Sequence, residues 1–242
     1  MPEKRRLCIL ISGGGTTALA IIKACNDGPL SGLVEPVCVI ASRADAGGLK
    51  KAAAEGVLTF IVDPKKFTSP DQFGERIIGV CQTIGVDVIT QNGWLPLTPQ
   101  NVIAAYPGKM INQHPGPLDP GYPDFGGKGM YGMRVHAARL HFVRATDREE
   151  SWTEAVAQLV APEYDRGPVI HRERVEIEPG DTPENLQQRV LPIEHRVQIE
   201  ALRLLVQGTA VPLVRKQRLV HHEEYELLID AKKEAARQFP NG

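Results

Sequence analysis

The sequence lacks a large excess of charge of either sign and any long hydrophobic run. Its 28 basic and 29 acidic residues leave a formal net charge of −1, which gives no overall attraction to nucleic acid or to a membrane surface. The apolar run from Leu7 to Ile11 is too short for a signal peptide or a membrane span. We therefore expect a cytoplasmic protein that binds small molecules, and neither nucleic acid nor a membrane.

Cysteine is also scarce, and its spacing argues against a metal site. The four cysteines show no CxxC pairing, lie far from any histidine in sequence, and fall in apolar stretches: Cys8, Cys25, Cys38 and Cys81. We interpret them as buried free thiols and expect no bound metal.

The first half of the chain alternates short apolar runs with amphipathic segments. This alternation is typical of a parallel sheet covered by helices. The predicted strands are Leu7–Ile11, Pro36–Ala41, Leu58–Val62, Val86–Gln91 and Lys109–Gln113; the helices between them are Thr17–Asn26, Gly47–Glu55 and Pro70–Ile84. The pattern predicts an α/β fold: a Rossmann-like, mostly parallel twisted sheet with helices on both faces.

The second half begins with an irregular segment. Residues 114–132 contain four prolines and six glycines, too many for a helix or strand, so we expect a long ordered loop. Beyond it we predict a helix at Arg134–His141, strands at Glu154–Val160 and Val169–Glu178, a helix from Pro183 to Val206 interrupted at Pro192, a strand at Arg218–His221 and a charged, partly helical tail. With 42% hydrophobic residues, the chain can bury a full core as one large domain or as a domain plus an appended lobe, and we expect a single domain.

Two groups of residues are candidates for chemistry. Ser12 to Thr17, a glycine-rich run between a strand and a helix, is typical of an anion site and suits a phosphomonoester better than a nucleotide. Asn112 and His114 are expected to project to one side of a strand end, before the turn that contains Asp165. An amide, an imidazole and a carboxylate can hold an oxyanion, move a proton and orient the proton carrier. The alternatives are a tight turn without ligand, a structural histidine and a turn-forming aspartate.

The ordered motifs resemble those of the phosphoribosylglycinamide formyltransferases, over roughly residues 7–207. The matching segments are Ile9–Gly15, Asn92–Leu95, Ile111–Pro115, Gly129–Ala138, Tyr164–Ile170 and Glu194–His195. The Asn-x-His and Asp-x-Gly motifs are shared by folate-dependent formyltransferases, whereas the phosphate loop and the Glu-His pair narrow the resemblance to the purine pathway. Where relatives carry Val-His before the Asp turn, this sequence has Ala157-Gln158.

The resemblance implies a formyltransferase fold and transfer of a formyl group from 10-formyltetrahydrofolate to the amine of 5-phosphoribosylglycinamide, with no metal and no nucleotide cofactor. The catalytic residues would be Asn112, His114 and Asp165. Gly15, Thr16 and Thr17 would hold the substrate phosphate, and Glu194 its ribose or glycinamide part. The reduced folate would contact Leu95, Pro96, Leu97, Thr98, Asn112, Ala161, Pro162, Glu163, Tyr164 and Asp165.

The same resemblance divides the single domain into parts. Residues 1–110 would form the phosphate-binding half, 111–207 the catalytic and folate-binding half, and 208–242 a C-terminal strand and tail. We expect a monomer or a homodimer.

Three alternatives stay open at this point. The chain would then be a deformylase that acts on the same folate, a formyltransferase with another amine acceptor, or a non-catalytic phosphosugar-binding module. The segment Gly126–Gly132 is either a mobile lid over the donor or an ordered connector.

Overall fold

A computed structural model describes residues 3–146 and 151–242. The chain divides into two compact units. The first comprises Met1–Gln113, Leu159–Pro162 and Gln198–Ala210, and the second comprises His114–Gln158, Glu163–Val197 and Val211–Gly242. The prediction of a single domain, divided after residues 110 and 207, stays a prediction.

The first unit carries a parallel sheet. Its strands are β1 (Arg5–Ile11), β2 (Val34–Ala41), β3 (Leu58–Ile61), β4 (Val88–Gln91) and β5 (Met110–His114, whose last residue belongs to the second unit). They lie in the order β3-β2-β1-β4-β5, and each neighbouring pair is parallel. Leu7 to Ile11 are completely buried, because a parallel strand is covered on both faces.

Helices connect these strands: α1 (Thr16–Asp27), α2 (Gly47–Ala54), α3 (Pro70–Ile84) and the short α4 (Gln100–Ala105), which the sequence did not predict. Helix α3 shows how the sequence sets the ends. The Ser69 hydroxyl accepts the N–H of Gln72 at 3.2 Å, Pro70 occupies the first turn, and Gly85 ends the helix with a φ of 75°. These are the cap, the first-turn proline and the left-handed glycine expected at helix ends.

The second unit contains β6 (Trp152–Leu159, whose last residue belongs to the first unit), β7 (Val169–Glu176), α5 (Met133–Ala145), most of α6 (Pro183–Val206) and α7 (Tyr225–Gln238). Strands β6 and β7 are antiparallel. Helices α5 and α7 pack together around a core that includes Phe125, Phe142 and Leu228. The α/β class and the mostly parallel arrangement of strands are confirmed.

One sequence prediction about the C-terminal segment is wrong. The predicted strand Arg218–His221 is irregular, whereas the tail after it, predicted to be partly helical, contains α7. Leu219 and Val220 are buried because their side chains fill the core beside α7. The Leu219 N–H donates to the Asp119 carboxylate at 3.2 Å, which replaces a partner strand as the acceptor.

The predicted interruption at Pro192 is also wrong, because α6 continues through it. A proline inside a helix removes one backbone hydrogen bond and crowds the preceding turn. Val190 and Val197, on either side of the proline, are completely buried. We attribute the continuity of α6 to this packing.

Candidate active site

His114 is the last residue of β5, at the carboxyl end of the strand. The strand changes character along its length: Met110 and Ile111 are buried apolar residues, whereas Asn112 and Gln113 are polar and half-buried. Carboxyl ends of parallel strands are where open α/β sheets bind ligands. Asn112 and His114 alternate along the strand, so their side chains leave its same face.

Both ring nitrogens of His114 face oxygen atoms within the second unit. Nδ1 lies 3.6 Å from Oδ2 of Asp165, and Nε2 lies 3.2 Å from the carbonyl oxygen of Phe125. The side chains of His114 and Asp165 are 3% and 9% exposed, so little solvent separates them. Nε2 is within hydrogen-bond distance of its carbonyl oxygen, whereas Nδ1 is in ion-pair range of the carboxylate.

Asp165 is held by two donors from different parts of the second unit. Its Oδ1 accepts the side-chain N–H of Gln158, on β6, at 3.0 Å. Its Oδ2 accepts the backbone N–H of Gly127 at 2.9 Å. In the sequence, Gln158 stood out only as a departure from the Val-His pair that the resemblance implied. The contact of Gln158 with the carboxylate was not predicted, because nothing in the local pattern pairs the two positions.

The backbone of Asp165 is itself unusual. Among the described residues it is the one non-glycine with a positive φ, 56°. Aspartate and asparagine tolerate this left-handed conformation better than other residues, because their short polar side chains can bond locally. The conformation turns the chain between β6 and β7.

The glycine-rich loop packs tightly against this pair. A Cβ atom added at Gly126 would lie 2.6 Å from Cβ of Asp165 and 2.6 Å from Leu118, closer than real atoms approach. A Cβ at Gly116 would lie 2.3 Å from a methyl group of Val135. Close packing and the hydrogen bond from Gly127 favour the ordered connector over the mobile lid.

A second histidine lies near the first. Burial lowers the pKa of His136, on α5, to about 4, and the charge of His114 acts in the same direction. His136 is therefore a neutral side chain at neutral pH. The sequence did not single it out for chemistry, and its burial marks it as part of the core.

The predicted phosphate loop lies in the first unit, at the start of α1. Gly15 has a φ of 66° and no side chain caps the helix. A Cβ at Gly15 would lie 2.5 Å from Cα of Gly48, so the backbone requires glycine there. Thr16 is exposed and Thr17 is buried. A helix N-terminus without a side-chain cap keeps backbone N–H groups for an anion.

The predicted folate contacts are divided between the units. In the first, Leu95 and Leu97 are 43% and 45% exposed, and Thr98 is buried and accepts a hydrogen bond from Gln91 at 2.5 Å. Pro96, Ala161 and Pro162 also belong to the first unit, whereas Glu163, Tyr164 and Asp165 belong to the second. Glu194, predicted for the ribose or glycinamide part, is buried on α6 in the second unit.

Two wider features of the described part of the chain bear on function. Over residues 3–146 and 151–242, no group of three or more histidine, cysteine or acidic side chains is arranged to hold a metal ion. None of the helices in these ranges is both long enough and apolar enough to span a membrane.

Comparison with known proteins identifies the family. The model of the formyl transferase family matches residues 5–202. The chain belongs to the formyl transferase family. This formyl transferase is 30% identical over 223 residues to the chloroplastic phosphoribosylglycinamide formyltransferase of Arabidopsis thaliana, covering 89% of this chain and 72% of that protein. The resemblance predicted from the sequence is thereby confirmed, as is the prediction of a transferase enzyme.

Two further relatives agree. The formyl transferase is 31% identical over 212 residues to the trifunctional purine biosynthetic protein adenosine-3 of Gallus gallus; the match covers 85% of this chain but only 19% of that much longer protein. The crystal structure of glycinamide ribonucleotide transformylase 1 from Symbiobacterium toebii superposes with a TM-score of 0.74 at 30% identity, covering 89% of this chain and 96% of that one.

Proposed function

We propose that this formyl transferase moves the formyl group of 10-formyltetrahydrofolate to the amine of 5-phosphoribosylglycinamide, in purine biosynthesis. The observation that carries the proposal is the buried pair of His114 and Asp165 at the end of β5, in a chain whose relatives are named for this acceptor. Those names favour this activity over a deformylase, over a different amine acceptor and over a non-catalytic module.

The proposed chemistry begins with attack of the acceptor amine on the formyl carbon. A carbon–nitrogen bond forms, and a pair of electrons moves to the formyl oxygen. The amide of Asn112 and a protonated His114 stabilise this oxyanion; removing one such donor costs about 100- to 1000-fold in turnover in comparable sites.

The intermediate then breaks its bond to the folate nitrogen. That nitrogen must gain a proton, and the acceptor nitrogen must lose one, so a single imidazole can carry the proton from one to the other. Asp165 holds the imidazole in orientation and offsets its positive charge. The step consumes no electrons and needs neither a metal nor a nucleotide.

The substrate-binding residues are proposed separately for each substrate. Gly15, Thr16 and Thr17 would bind the phosphate through the backbone N–H groups of the uncapped start of α1, and Glu194 would bind the ribose or glycinamide part.

The reduced folate would contact the Leu95–Thr98 segment, where two apolar side chains are exposed, together with Asn112 and the Ala161–Asp165 segment. A cytoplasmic location and a monomeric or homodimeric state complete the proposal.

An acceptor panel tests this function. Purified protein is given 10-formyltetrahydrofolate with phosphoribosylglycinamide, an amino sugar, aminoacyl-tRNA or no acceptor, and release of tetrahydrofolate is followed by absorbance. Among these acceptors, we expect only phosphoribosylglycinamide to cause release of tetrahydrofolate. The rate of that release should be at least about 100-fold lower in His114→Ala. Release without any acceptor would indicate a deformylase, and preference for another amine would overturn the proposed acceptor.

A further inference from the structure

Helix α7 brings a lysine to the glycine-rich loop beside the candidate catalytic pair. The Nζ atom of Lys232 donates to the carbonyl oxygen of Gly126 at 2.9 Å. The family match ends at residue 202, so α7 (Tyr225–Gln238) lies beyond it. Lys232 is therefore a contribution of the C-terminal segment to a site whose other residues lie within the matched range.

The carbonyl of Gly126 and the N–H of Gly127 belong to one peptide group. This N–H donates to Oδ2 of Asp165 at 2.9 Å, and the same oxygen lies 3.6 Å from Nδ1 of His114. An ammonium, a peptide, a carboxylate and an imidazole thus form a continuous series. Hydrogen bonds in such a series polarise and strengthen one another, so a cation on the carbonyl makes the peptide N–H a better donor to the carboxylate.

The peptide that Lys232 holds lies between two glycines. Glycine permits rotations of a peptide group that other residues resist, and Gly127 has a φ of 100°. A rotation of this peptide would remove the N–H from Asp165. The charged hydrogen bond from Lys232 opposes that rotation, because turning the carbonyl away would leave a partly buried ammonium without this acceptor.

Charged groups on several elements face Lys232. Burial lowers its pKa, Asp124 and Asp165 raise it, and Arg166 lowers it. Asp124 is itself engaged, by Arg166 at 3.1 Å and by the N–H of Gly126 at 3.0 Å. The pKa of Lys232 is lowered overall, because burial outweighs the attraction of the two carboxylates.

A second set of contacts joins the C-terminal segment to the same loop. The guanidinium of Arg134 donates to the carbonyl of Gly129 at 3.0 Å and to those of Phe239 and Pro240 at 2.7 and 2.6 Å. The loop is thus attached to the C-terminal segment on both sides of Lys128, which is exposed.

We propose that Lys232 is a positioning residue: it fixes the Gly126–Gly127 peptide so that its N–H holds the Asp165 carboxylate against His114. The proposal rests on the proposed function, in which Asp165 and His114 are catalytic. Lys232 touches no substrate in this role. It acts on turnover through Asp165.

The test compares Lys232→Met, Lys232→Arg and the control Lys233→Met. Lys233 is the next residue on α7, and its side chain is 72% exposed. In formyl transfer to phosphoribosylglycinamide, Lys232→Met is expected to lower kcat about tenfold, as for loss of a charged hydrogen bond, with KM for both substrates little changed. Lys232→Arg is expected to restore most of kcat, and Lys233→Met to equal the wild type.

The Gly127 amide resonance supplies a readout independent of activity. Its proton is expected to move upfield in Lys232→Met, because the peptide loses its polarising cation, and to keep its position in Lys233→Met. This spectrum also reports whether each variant is folded; where Lys232→Met is not, Lys232→Gln, which keeps a neutral donor, replaces it.

The variant Asp165→Asn distinguishes a failure of the role proposed for Lys232 from a failure of the catalytic role proposed for Asp165. If Asp165→Asn lowers kcat but Lys232→Met leaves both kcat and the Gly127 resonance unchanged, the positioning role is overturned and the proposed function stands. If Asp165→Asn itself leaves kcat unchanged, the catalytic role of Asp165 fails, and the role of Lys232 fails with it. If the wild-type protein transfers no formyl group to phosphoribosylglycinamide, the proposed function fails. A decrease in kcat that Lys232→Arg does not reverse also overturns the role.

Discussion

Replacing Asp165 by asparagine should uncouple catalysis from folding. The carboxylate is surrounded by Gly127 N–H, the Gln158 amide and His114. Asparagine has one oxygen and one NH₂ group, so at least one of these neighbours must face a donor instead of an acceptor. An unsatisfied buried group costs roughly 1–3 kcal/mol, which a stable domain tolerates.

Turnover should fall by orders of magnitude in this variant although the protein stays folded. Without the carboxylate the imidazole loses its orienting partner, and we expect kcat to fall about 100- to 10,000-fold, the range for loss of acid–base catalysis. KM should change little, because the proposed substrate contacts of Asp165 are shared with neighbouring backbone. Steady-state kinetics with both substrates and urea unfolding measure the two effects.

Asp165→Ala provides the matched comparison. Asparagine accepts the left-handed conformation at a φ of 56°, whereas alanine adds roughly 1–2 kcal/mol of backbone strain. The two variants should therefore lose similar turnover but differ in stability. Unchanged turnover in Asp165→Asn would refute the catalytic assignment, and equal stability of the two variants would refute the argument from strain.

Three further substitutions probe buried residues of the second unit. Gln158→Leu should lower kcat roughly 10- to 100-fold, as for loss of a 1.5–3 kcal/mol bond to a charged group; a wild-type kcat would show that the amide does not support Asp165. Gly126→Ala should destabilise the fold by about 1–3 kcal/mol, because its Cβ would overlap Asp165 and Leu118; an unchanged unfolding midpoint would contradict this. The depressed pKa of His136, about 4, means that the unfolded chain binds a proton that the fold does not. The free energy of unfolding should therefore decrease by up to about 3 kcal/mol as pH falls from about 6.5 to 4. Denaturant unfolding at a series of pH values should show a smaller decrease in His136→Gln. An equal decrease in both proteins would show that His136 is not the group responsible.

The parallel half of the fold could be predicted because its signals are local. β1 contains the uninterrupted apolar run Leu7–Ile11, and α3 begins and ends at the residues that its serine, proline and glycine signals indicate. The prediction of a C-terminal strand was wrong for the opposite reason. Leu219 and Val220 have strand-like sequence, but their burial depends on α7, which packs on them from later in the chain.

The candidate site could also be predicted only in part from the sequence. His114 and Asp165 follow from family motifs, and the structure brings them together. The contacts that hold Asp165 do not follow from any motif. Gln158 departs from the pattern that the resemblance implied, and the Gly126–Gly127 peptide is held by Lys232, a residue more than a hundred positions away. Such support depends on three-dimensional packing, which no spacing in the sequence encodes.

Transfer of a labelled formyl group shows whether the enzyme formylates this acceptor and whether His114 is needed for it. Donor labelled at the formyl carbon is mixed with excess enzyme and phosphoribosylglycinamide, and the reaction is quenched within one turnover. We expect label on the acceptor amine with the wild-type protein and a rate at least about 100-fold lower with folded His114→Ala. Equal rates for the two proteins would remove His114 from the mechanism, and no label on the acceptor with the wild type would refute the proposed function.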